Sequence, residues 1–101
     1  MMIVEAIQST HSEHAVYFLL TAYLESLRHF ERSAGVPAGV LRLPVRDSGD
    51  LHDRLALLDE RMKGERNAIV PVNEARDVIE CAIGRLAALA GTAPGPILRA
   101  A

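Results

Sequence analysis

From Thr10 to Ser33 the chain contains neither proline nor glycine, and its apolar residues recur with a helical period throughout. Val16, Leu20, Tyr23, Leu27 and Phe30 follow one another in alternating steps of four and three, the seam of a left-handed helix pair. Leu19 and Leu24 flank that seam, and Ala15, Phe18 and Ala22 widen it on one side. At about 100° per residue the apolar arc from Phe18 round to Leu24 covers roughly two-thirds of the circumference, about twice that of an ordinary surface helix. A helix of this kind must be covered on more than one face, which directs the chain towards helix-on-helix packing.

The ends of this segment carry punctuation. Thr10 and Glu13 form a T-x-x-E capping box, so the sequence predicts a first helix over about 10–33. Ala34, Gly35 and Pro37 break it, with Gly35 placed for the left-handed C-terminal position. Residues 1–9 are expected either to extend this helix or to lead in as a strand-like arm.

Two further helices follow from the same signals. Ser48 or Asp50 can cap one over about 50–63, with Leu51, Leu55, Leu58 and Met62 as a narrow inward stripe and His52, Asp53, Arg54, Asp59, Glu60 and Arg61 on the solvated side. Asn73 can cap another over about 73–90, with Glu74 and Asp77 at its positive end. Its Ala75, Ile79, Ala82, Leu86 and Leu89 repeat the four-three spacing, and its many small residues allow close approach of a neighbour. Gly91 ends it, and residues 91–101 read as a flexible tail. The connections 34–49 and 64–72 are too apolar to be solvated. A helical turn fits after Pro37, and Leu43-Pro44-Val45 could lie beside Val70-Pro71-Val72 as extended chain.

Composition agrees with a single helical domain of 101 residues. Half of the chain is hydrophobic and 24% is charged, but with two Tyr, two Phe and no Trp the core must be aliphatic. A net charge of −2 and a pI near 6.0 offer no footprint for phosphate backbones, which argues against nucleic acid as a partner. The acidic balance and long connections also disfavour a helix-turn-helix regulator, whose motif wants a turn of about three or four residues. The longest strongly apolar stretch, Ala15 to Leu24, is about half of what a bilayer-spanning helix needs. With one cysteine, Cys81, and no recognisable leader, a cytoplasmic location is the expectation.

Few residues suggest chemistry. His11 and His14, and Glu25 and His29, are spaced to share a helix face and could each contribute two ligands to a divalent transition metal. His11 and His29 are about 27 Å apart along one helix at about 1.5 Å per residue, so a joint site needs two antiparallel copies. No second helix supplies the Glu-x-x-His motif of a carboxylate-bridged metal bundle. Cys81, beside Glu80, reads as a half-buried small side chain. No glycine-rich phosphate loop, nucleophile elbow or cysteine pair is present, so the residues name no nucleophile and the reading leans away from an enzyme.

The sequence thus describes an all-α, up-down bundle of about three helices with apolar connecting loops, completed by self-association. The expected function is that of an interaction or assembly protein, a homo-oligomer with scope for a further protein partner. Its expected interface is Val16, Leu20, Tyr23, Leu27 and Phe30 with Ala82 and Leu86. A metal site or small helical enzyme built on His11, His14, Glu25 and His29 is the alternative, and no other cofactor is expected.

Overall fold

A computed structural model describes residues 2–30, 35–63 and 70–91, Phe30 by its backbone alone. Four helices account for most of them: α1 (Met2–Ser9), α2 (Glu13–Phe30), α3 (Ser48–Lys63) and α4 (Val70–Gly91). No strand occurs among the described residues. The all-helical class is as the sequence predicts, while the described residues form four helices where about three are expected.

The additional helix is α1, in place of the expected arm or extension. Its Ile3, Val4 and Ile7 share one face, Ile7 is fully buried, and Ser9 Oγ donates to the Glu5 carbonyl at 2.8 Å. The Thr10 amide turns back to the Ile7 carbonyl at 3.3 Å, which closes this helix. Thr10 therefore does not cap α2 as a T-x-x-E box. Ser12 does so instead: its hydroxyl accepts from the Ala15 amide at 3.3 Å, and its carbonyl accepts the first helical bond from Val16 at 3.1 Å.

The other starts also shift. Asp47, and not Ser48 or Asp50, caps α3, accepting from the Asp50 amide at 2.9 Å while Asp50 reaches back to the Arg46 amide at 3.2 Å. Helix α4 begins at Val70, ahead of the expected Asn73 cap. Pro71 is tolerated in that first turn because its missing N–H has no helical acceptor there, and the added turn buries Val72. The pairing of Leu43-Pro44-Val45 with Val70-Pro71-Val72 as extended chain is thereby excluded. Gly91, the first residue of the predicted tail, is the last residue of α4, and residues 92–101 lie outside the described residues.

Helix α4 is the organising element, packing against α1, α2 and α3. It runs antiparallel to α2, since Tyr23 Oη donates to Glu74 Oε1 at 3.1 Å near one end and Arg85 Nε donates to the Thr10 carbonyl at 2.8 Å near the other. Ala75 and Ala82 on α4 are fully buried, so the small residues bring this chain's own helices together. The core is aliphatic: Val16, Leu20 and Leu24 from α2, Leu51 and Leu58 from α3, Val78, Ile79 and Leu86 from α4.

The apolar connection 35–47 is part of that core. Gly35 has φ 84°, the left-handed conformation anticipated for it, and Val40 is fully buried. The Val40 and Leu41 amides donate to the Pro37 and Ala38 carbonyls at 2.9 and 3.1 Å, the turn expected after Pro37. Val36, Leu41, Leu43 and Val45 pack against the core, and Leu43-Pro44 is cis.

Candidate functional site

Two surface features stand out once the core is assigned, and both involve α2. The first is its outward face. Val16, Leu20 and Leu24 point into the core, and Phe18, about 200° round the helix from Val16 at about 100° per residue, points away from it. Phe18 is 67% exposed, an apolar ring in the middle of a helix, with exposed Ala22 one turn further on. His14, Glu25 and His29 lie along the same exposed face.

The second is a groove of about 910 Å³ between the last turns of α2 and the connection. Glu25, Arg28 and His29 come from α2, and Val36, Leu41, Arg42 and Leu43 from the opposite side. The wall is fixed from below by Arg54, which the sequence assigns to the solvated face and which is 3% exposed. Its Nη1 donates to the Val40 carbonyl at 2.7 Å, its Nη2 to the Pro44 carbonyl at 3.2 Å, and its Nε to Asp50 Oδ2 at 3.1 Å. Burying a guanidinium is costly unless its donors are satisfied, and here one carboxylate and two carbonyls satisfy them. Burial alone would raise the Asp50 pKa, yet the Arg54 hydrogen bond, the Arg46 amide and both positive charges hold it below the ordinary value.

The residues expected to form an oligomer interface fall elsewhere. Val16, Leu20, Ala82 and Leu86 are buried within the chain, and Tyr23 and Leu27 pack against the same core. The seam side of α2 therefore packs within the molecule, where α2 meets α4 and α1. The Phe30 side chain lies outside the described residues. Tyr23 is half-buried, and desolvation followed by the neighbouring Glu74 charge and hydrogen bond pushes its phenol well above the usual range.

The histidines do not gather. His11 lies in the turn before α2, where Arg85 Nη2 stands 3.4 Å from its Nδ1, so it is off the α2 face shared by His14 and His29. Among the described residues no three His, Cys, Asp or Glu side chains converge as metal ligands. Cys81 is half-buried, with Sγ 3.8 Å from the Val4 carbonyl, and burial raises its thiol pKa, so it lacks the stabilised thiolate of a nucleophile. Arg76 joins α3 to α4, donating to Asp59 at 2.6 Å and to Glu80 at 3.2 Å.

No protein-family model, no curated protein and no solved structure matches this chain. Its surfaces must be read by their own chemistry. No described helix is long and apolar enough to cross a membrane.

Sequence reasoning overlooks both α1 and Arg54. The signal for α1 is present in Ile3, Val4 and Ile7, whose spacing is helical. The burial of Arg54 has no comparable signal, because its acceptors come from backbone carbonyls of another segment.

Proposed function

We propose that this protein is a non-catalytic helical assembly module that self-associates through the outward face of α2. The observation that carries this reading is the exposed Phe18 ring on a helix whose opposite side is already buried. No single neighbour can cover both Val16 and Phe18, and within the chain the helix has used its inward side on α4. A second copy laid antiparallel along α2 would set the Phe18 ring against the small Thr21 and Ala22 side chains of its partner. Covering two such rings contributes about 3–6 kcal/mol at about 1.5–3 kcal/mol each, which does not exceed most of the association cost of about 4–15 kcal/mol. The rest of the α2 face must contribute as well, so the expected dimer is weak and is to be sought from about 10 µM to 1 mM protein.

Sedimentation velocity across that concentration range tests the reading. The native chain should shift towards a dimer as concentration rises, and Phe18→Asp should remain monomeric with an undiminished melting temperature, since Phe18 is outside the core. A native chain that stays monomeric at the highest concentration, or an F18D protein that dimerises equally well, removes α2 as the assembly face.

A further inference from the structure

We propose that the groove between the C-terminal turns of α2 and the 36–43 connection binds an aliphatic monocarboxylate, with Arg28 and Arg42 receiving the carboxylate. Val36, Leu41 and Leu43 supply an apolar wall, and at about 910 Å³ the space falls within the usual range for small-molecule sites, about 300–1,000 Å³. The wall is pre-formed, because Arg54 fixes the carbonyls of Val40 and Pro44 from beneath it.

Charge selects the ligand class. Arg54, Arg76 and Arg85 all spend their guanidinium donors on hydrogen bonds within the fold. Among the described residues, Arg28 and Arg42 have no hydrogen-bond or ion-pair partner, and both line the groove. Two open guanidiniums on a chain of net charge −2 form a local positive site, and guanidinium geometry suits a bidentate carboxylate. Glu25 lies on the same groove, so among its described lining residues the two guanidiniums outnumber the carboxylate by a single charge. That balance fits a monoanion better than a doubly charged phosphate ester, and the apolar wall calls for an alkyl body. Phe18 does not line this groove, so the site stands or falls separately from the self-association surface.

Isothermal titration of the full chain with decanoate, decanol and decyl phosphate, all below micelle formation, tests the site. Decanoate should bind saturably at one per chain and more tightly than either analogue. Replacing Arg28 and Arg42 together by Ala should weaken decanoate about tenfold or more while the melting temperature holds, because both are exposed. Glu25→Gln should tighten it several-fold by removing a like charge, and Phe18→Asp should leave it unchanged. Equal affinity for decanol, tighter binding of decyl phosphate, indifference to the arginine pair, or no saturable binding would each overturn the proposal.

Discussion

Arg54 Nη1 donates to the carbonyl of Val40 at 2.7 Å, joining a buried charge on α3 to the one fully buried residue of the 35–47 connection among the described residues. With the bonds to Pro44 and Asp50, this contact makes an apolar loop into a fixed wall.

Removing that charge should be costly. Arg54→Ala leaves two carbonyls without donors and Asp50 without its partner, and is expected to lower stability by about 2–4 kcal/mol, moderated because Asp50 keeps some solvent contact. Arg54→Lys should recover only part of this, since one ammonium lacks the guanidinium fork. Urea denaturation followed by circular dichroism measures both, and an R54A protein as stable as the native one would refute the role assigned to the residue.

Acid should act on the same contact. The Asp50 pKa is lowered in the folded state, so its contribution is present above the ordinary value of 3.8 and is lost as pH falls through the lower folded value. The stability difference between the native chain and Asp50→Asn should therefore be full at pH 6 and shrink below about pH 4.

Tyr23 gives the opposite sign. Burial and Glu74 raise its phenol pKa, so its contribution is complete below the ordinary value of 10.0 and is lost as pH rises beyond it. Melting curves between pH 8 and pH 11 should show a smaller alkaline loss for Tyr23→Phe than for the native chain. Equal losses would mean that Tyr23 titrates normally.

The two candidate caps of α2 can be separated directly. Ser12→Ala should cost about 1 kcal/mol, whereas Thr10→Ala should cost a few tenths, because only Ser12 accepts from the first turn of the helix. The reverse ranking would restore Thr10 as the helix start.

Core packing sets a scale for these effects. Leu20→Ala, at a fully buried α2 position, should lower stability by about 2–5 kcal/mol. Phe18→Ala, on the opposite side of the same helix, should leave monomer stability within about 0.5 kcal/mol of native.

The sequence by itself determined that the chain is helical, that its core is aliphatic, that Leu51 and Leu58 face inward on α3, and that Gly35 takes the left-handed conformation. These features are local: a period of about 3.6 residues fixes which side chains share a face, and glycine has no Cβ to oppose a positive φ. Only the tertiary structure decided which part of a wide apolar arc is covered. Val16 and Phe18 both belong to that arc, and the placement of α4 buries one and leaves the other in solvent. It also decided that Met2–Ser9 is a helix of its own, since so short a segment gains most of its stability from packing on α4 and α2. The inward turn of Arg54 depends on carbonyls 14 and 10 residues away along the chain. No periodicity encodes that proximity, because it exists only after the connection has folded over α3.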